Sequence, residues 1–176
     1  MTEKFTPTWL VSAIYNLTPE QLKAQGIKAV LTDLDNTLIA WNNPDGTEEL
    51  RQWLAAMAAA KIPVMIVSNN SATRIARVAE PLGLPFVSRA LKPMTKGLNL
   101  ALKMLNLNAN DVIMVGDQLM TDIWAANNVG VRSVLVQPLI ETDQWNTKIN
   151  RFIEKGVKKS MLKNHQELNW RESIDN

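Results

Sequence analysis

The sequence predicts an α/β fold in which a parallel sheet lies between two layers of helices. Three observations carry that reading. Apolar, β-prone runs recur at residues 27–31, 62–67 and 112–115, and such runs mark strands buried on both faces. Stretches with helical spacing separate them. Residues suited to chemistry fall just past the ends of these runs, where open parallel sheets bind their ligands. The alternation of strand and helix at this interval points to a three-layer, Rossmann-like arrangement.

The elements follow in order. Thr18-Pro19-Glu20 opens a short helix, with Thr18 as cap, proline in the first position and Gly26 as stop. A strand follows over residues 28–33, and residues 42–46 are rich in turn formers. Thr47 then caps a helix that runs to residue 61, with Leu50, Trp53, Leu54 and Met57 on one face. After the strand at 62–67 come a helix over 71–82 ended by Gly83, a short strand at 85–87, a helix over 95–106 and a strand at 111–115. A helical pattern covers 119–128 and stops near Gly130, before a strand at 132–136. Spacing over 144–163 predicts a long C-terminal helix. At the other end, Phe5, Trp9, Leu10, Ile14 and Tyr15 read as a helix that covers the domain, or alternatively as a membrane-facing patch. Residues 1–176 are expected to form one domain, its core over about 17–140 and the two terminal helices as extensions.

Composition narrows the function. Apolar residues make up 46% and charged residues 20%, a globular balance. A net charge of +2 implies no whole-protein field for nucleic acid. Absence of cysteine rules out disulfides, thiolate metal sites and a cysteine nucleophile, and fits a cytoplasmic location. Residues 1–10 lack the pattern of a secretory signal. No run approaches the roughly 20 apolar residues of a spanning helix, so any membrane contact is expected to be peripheral, on the inner face.

The most informative stretch is Asp33-Leu34-Asp35-Asn36-Thr37, at the end of the first apolar strand. Side chains two apart on a strand share a face, so Asp33 and Asp35 can look into one space. Carboxylates held together repel unless a cation or shared proton relieves them. One can then act as nucleophile and the other as proton donor and acceptor. Three further stations follow in order: Ser68 with Asn69-Asn70 after the strand 64–67, Lys92 in Leu91-Lys92-Pro93, and Gly116-Asp117 with Thr121-Asp122 after the strand 112–115. Singly, each has a plain reading as turn, helix cap or surface lysine. Together, each at a strand end, they make coincidence a poor account.

This ordered set resembles the haloacid dehalogenase superfamily of phosphohydrolases, and Asp35 favours its phosphatase branch. The resemblance implies roles. Asp33 would attack phosphorus and form an aspartyl-phosphate, and Asp35 would protonate the leaving alcohol and then accept a proton from water. Ser68 would donate its hydroxyl to a phosphoryl oxygen, and Lys92 would supply fixed positive charge. Mg²⁺ is the expected cofactor, held by the Asp33 carboxylate, the Asp35 main-chain carbonyl and Asp117. Asp122 would orient Lys92 or a metal-bound water. Gly116 would let the backbone come close, and Thr37 and Asn69 would support the loops. A receiver domain also gathers acids, a Ser/Thr and a Lys around an accepting Asp, but there the acidic pair precedes a lone Asp on a later strand.

Thirty residues separate Thr37 from Ser68 and 23 separate Ser68 from Lys92. Neither interval holds an inserted domain of at least about 50 residues. An uncapped site suits a phosphate on something large, or one closed over by a partner subunit, which makes a homodimer reasonable. The lead Leu17-Thr18-Pro19-Glu20, the stretch 31–38, Trp41, Val67-Ser68-Asn69-Asn70, Ala90-Leu91-Lys92-Pro93 and Val115-Gly116-Asp117-Gln118 look like the YqeG family of small, cap-less phosphatases. That resemblance implies a lipid phosphate monoester, phosphatidylglycerophosphate, as substrate. The alternatives are a soluble nucleotide, sugar phosphate or phosphoprotein substrate, or a non-catalytic phosphate-binding module. Residues 144–163 carry six cations against one acid, Glu154, around an apolar stripe. Such a helix can lie on an anionic membrane or pack on the sheet with its lysines in water. His165, the one histidine, lies in a polar tail expected to fray and receives no catalytic role. Trp53 and Trp124 are expected in the core, and Trp41 either at the mouth of the site or anchoring its loop.

Overall fold

The apolar runs become strands because each can bury both of its faces. The computed structural model describes residues 3–140, 155–156, 158–160, 163 and 168–175. In chain order its strands are β1 (Trp9–Val11), β2 (Ala29–Thr32), β3 (Val64–Val67), β4 (Phe86–Val87), β5 (Val112–Gly116), β6 (Arg132–Val136) and β7 (Trp170–Arg171). The α-helices are α1 (Pro19–Ala24), α2 (Glu48–Ala59), α3 (Ala72–Leu82), α4 (Lys96–Leu105) and α5 (Trp124–Val129). The sheet order is β4-β3-β2-β5-β6-β1-β7, and the pairings among the described residues are all parallel.

Alternation along the strands divides the core. Val30, Ile66 and Ile113 face α2 and α3, packing with Leu50, Trp53, Met57 and Ile75. Ala29, Leu31, Met65 and Met114 face the other way, onto Leu98 and Ala101 of α4 and Ala125 and Ala126 of α5. Caps form where the sequence places them. Thr18 accepts from the Gln21 amide, Thr47 from Leu50 and Ser71 from Arg74, and Gly83 closes α3 with φ at 65°. From β2 the chain builds β3 and β4 to one side, then β5 and β6 to the other. The reversal falls between the carboxyl ends of β2 and β5, the crevice in which such sheets bind ligands.

The N-terminal segment is a correction. Trp9 to Val11 form a strand beside β6 rather than part of a helix, with 3₁₀ turns at Glu3–Phe5 and Ile14–Asn16. Pro7 stops a helix from propagating. Leu10 and Val11 are buried on opposite sides of the sheet, a period of two rather than 3.6. The end of the chain also differs from a frayed tail: Trp170–Arg171 pair with β1, and Ile174 is buried. Glu172 binds them down, accepting from the Ser12 hydroxyl at 2.6 Å and from the Asn16 amide. The sheet thus extends past residues 17–140 at both ends. His165 and most of the segment 144–163 lie outside the described residues.

Two aromatic side chains fix the lead into β2. Trp53 donates from Nε1 to the Leu17 carbonyl at 2.8 Å, and Tyr15 donates to the Leu38 carbonyl. Trp124 is half-buried rather than central, edge-on to Phe5 at 5.2 Å. Burial, aided by the Glu49 charge, pushes the Tyr15 phenol up from 10.0 to about 12. The folded state thus favours the neutral phenol. That contribution is whole below pH 10.0 and is lost as pH rises through about 12. The unfolding free energy of Tyr15→Phe, from urea titration, should fall below wild type by about 1 kcal/mol at neutral pH. The gap should close as the pH rises; a gap that persists at high pH would show that Tyr15 does not titrate with folding.

Candidate active site

Asp33 stands one residue beyond β2, and its amide donates to the Val115 carbonyl of β5 at 2.9 Å. This bond carries the ladder one step past the last strand residue and fixes the backbone where the carboxylate turns out. Gly116 ends β5, and behind it the chain makes a turn of π-helix, Leu119–Ile123, before α5. A continuous helix over 119–128 is therefore corrected. The wide turn swings Asp122 back under Gly116, where its Oδ2 accepts the Gln118 amide at 3.2 Å. A Cβ at position 116 would sit 2.2 Å from Asp122 Oδ2, so glycine is required there by space.

Lys92 joins the two strand ends. Its Nζ donates to Asp122 Oδ1 at 2.6 Å and to Asp33 Oδ1 at 2.9 Å, and the lysine is 5% exposed. Burial alone would pull this ammonium down. The Asp122 and Asp33 carboxylates outweigh burial and hold it well above the ordinary lysine range. Burial pushes the Asp122 carboxyl up to about 6, against the pull of Lys92 and with Asp33 adding to the rise. The lysine backbone is clamped as well. Asn69 accepts from the Lys92 amide at 2.7 Å and donates to the Lys92 carbonyl at 3.0 Å. Ser68, buried at the end of β3, accepts the Asn70 amide at 3.2 Å.

Carboxylate oxygens of Asp33, Asp117 and Asp122 lie within 4.8 Å of one another. The donor set is all oxygen, which suits a hard divalent cation such as Mg²⁺. Both oxygens of Asp122 are already engaged, by Lys92 and by the Gln118 amide. Asp33 and Asp117 are the side chains left to face a cation. Thr37 donates to Asp117 Oδ1 at 3.4 Å, supporting that carboxylate.

Asp35 is placed differently from the other acids. Its Oδ1 accepts from Arg74 Nη2 at 2.7 Å and its Oδ2 from Asn70 Nδ2 at 2.6 Å. Arg74 also donates to the Trp41 carbonyl at 2.8 Å, so Trp41 is tied into the loop that follows the first motif. The sequence reading did not single out Arg74. Its one signal is position, three residues past the Ser71 cap on the helix after the second motif.

The chain is similar to known proteins over most of its length. A sequence profile described as a hydrolase, haloacid dehalogenase-like hydrolase, matches residues 7–130. Over 168 residues the chain is 40% identical to a Bacillus subtilis (strain 168) protein named probable phosphatase YqeG, spanning 96% of this chain and 97% of that one. Over a local stretch of 43 residues it is 46% identical to the glyceraldehyde 3-phosphate phosphatase of Pyrococcus abyssi (strain GE5 / Orsay), across 24% of this chain and 18% of that protein. The crystal structure of an uncharacterized protein from Listeria monocytogenes serotype 4b shares the fold, with a TM-score of 0.53 at 16% identity, over 76% of this chain and 99% of that one. With a profile match across most of its length and a full-length relative, the chain belongs to the haloacid dehalogenase-like hydrolases, on their phosphatase branch.

Proposed function

We propose that the protein hydrolyses a phosphate monoester through an aspartyl-phosphate on Asp33, and that its substrate is a lipid phosphate, phosphatidylglycerophosphate. The observation that carries the chemistry is the Lys92 ammonium, buried between Asp33 and Asp122 beside Asp117. An Asp33 oxygen bonds to phosphorus as the bond to the substrate alcohol breaks, and the alcohol leaves with a proton from Asp35. Water then attacks the same phosphorus and gives its proton to Asp35. The bond to Asp33 breaks, and phosphate departs. Lys92 keeps positive charge beside the reacting oxygens, and Ser68 donates to one of them. Asp33, the Asp35 main-chain carbonyl and Asp117 would hold Mg²⁺, which when bound offsets the negative charge of the phosphoryl group.

The lipid reading draws its support from the resemblance to the cap-less family and from the short intervals between motifs. The test is phosphate release from phosphatidylglycerophosphate in mixed micelles, with and without Mg²⁺, beside a panel of soluble monoesters. Metal-dependent release well above the panel is expected. Release from soluble esters alone would keep the chemistry and discard the lipid.

Arg74 and Asn70 set the direction of the Asp35 carboxylate, so they act on the proton step. Arg74→Ala should lower turnover of an alkyl phosphate by about 10- to 100-fold, because a poor leaving group needs its proton delivered. p-Nitrophenyl phosphate needs no such help in forming the aspartyl-phosphate, so its kcat/KM should lose little, whereas the later attack of water uses Asp35 with either ester. Equal loss of kcat/KM on both esters would show that Arg74 supports the fold or the phosphate instead.

A further inference from the structure

Four large apolar side chains stand well exposed among the described residues: Leu91, Met94, Leu100 and Met104, between 46% and 66% accessible. All four fall within one segment, the loop that carries Lys92 and the outer face of α4. Lys96, Leu100, Lys103 and Met104 share a helical face, spaced three and four apart. The chain from residue 81 to 110 contains four cations and not one acid. Three of those cations, Arg89, Lys96 and Lys103, are exposed, while Lys92 points into the site.

The loop presents these side chains from a fixed backbone. Asn69 holds Lys92 at both its amide and its carbonyl, the Arg89 amide donates to the Asn70 carbonyl, and Asn128 donates to the Pro93 carbonyl. Leu91 is kept at φ 57°, a left-handed conformation unusual for a leucine, with its side chain in water. The described part of the C-terminal segment is anchored elsewhere. Lys158 lies 4.6 Å above the ring of Trp170 in β7, at the far edge of the sheet, whereas α4 packs against β3 and β4.

We infer that this apolar, basic face docks the protein on an anionic bilayer surface, beside the mouth of the catalytic cleft. Leu91, Met94, Leu100 and Met104 would enter the interface, and Arg89, Lys96 and Lys103 would meet lipid head groups. Charge selects this occupant. A second copy would bring three cations against three like cations, which costs free energy. The stripe begins next to Lys92 and runs down α4 for about 15 Å, at 1.5 Å per residue. The inference rests on the lipid-phosphate reading, since it gives the cleft access to a phosphate held at a membrane.

The test uses the full chain, with vesicles of phosphatidylcholine alone and vesicles rich in phosphatidylserine, an anionic lipid that is neither the proposed substrate nor its product. Wild type should sediment with the anionic vesicles, less so as salt rises. Lys96→Glu/Lys103→Glu and Leu100→Gln/Met104→Gln should each weaken that binding at least about tenfold, with p-nitrophenyl phosphate turnover unchanged. Binding equal to wild type in both variants, or no binding by wild type, overturns the inference. Light scattering that finds a dimer broken by Leu100→Gln/Met104→Gln also overturns it, by giving the face to a second copy. Docking through this face without release from phosphatidylglycerophosphate sinks the substrate reading alone. Release from micelles by variants that dock like wild type sinks the docking alone.

Discussion

Asp33→Asn is expected to lower phosphate release by at least about 10⁴-fold, the scale seen when a covalent nucleophile is removed. The amide has the size of the carboxylate but lacks the charge to attack phosphorus. The fold should survive the change. Lys92 keeps its 2.6 Å bond to Asp122, and the Asp33 amide still donates to Val115. The loss of one charged partner at 2.9 Å is worth about 1.5–3 kcal/mol. Chemical denaturation alongside the assay separates the two effects. Metal-dependent turnover retained by this variant would rule out the aspartyl-phosphate.

Lys92→Met is expected to have the largest effect on stability. It strands the Asp122 carboxylate, 1% exposed at its side chain, with the Gln118 amide as its remaining partner. Breaking a buried pair from one side costs about 3–5 kcal/mol. The loss should depend on pH in a defined direction. In wild type, burial already raises Asp122 from 3.8 to about 6, so its contribution to stability is whole below 3.8 and lost as pH rises through about 6. Removing Lys92 removes the main pull in the other direction, so the variant's carboxyl rises further. The gap between variant and wild type should therefore be widest at neutral pH and narrow under mild acid. Lys92→Met/Asp122→Asn, which removes both charges of the most buried pair and leaves only the partly exposed Asp33 without its ammonium, should recover most of the stability and none of the activity. A gap independent of pH, or a double variant no better than the single, would show that the pair is not what holds these loops together.

The cluster of Asp33, Lys92, Asp117 and Asp122 was legible because its members sit at the ends of strands, or beside turns, that are themselves easy to see. Asp33, Asp35, Ser68, Lys92 and Asp117 each follow an apolar run or a turn signal, and Thr18, Thr47 and Ser71 announce their helices by capping. What escaped has no local pattern. Arg74 meets Asp35 across 39 residues of chain, a contact that only folding creates. The π-turn at Leu119–Ile123 has the spacing of a helix, and its departure depends on where Asp122 must reach. β1 and β7, three and two residues long, are too short for periodicity to register. Their strand character comes from an open sheet edge waiting beside them.

That edge has a consequence for how the chain is made. β1 leaves the ribosome well before its partners, residues 132–136 and 170–171. Trp9-Leu10-Val11 therefore wait while the intervening residues are made, and the outer side of β1 stays open until residues 170–171 have followed. During that interval an unpaired apolar strand is a template for the wrong neighbour. Nascent chains halted before β6 should be the ones that call most on chaperones.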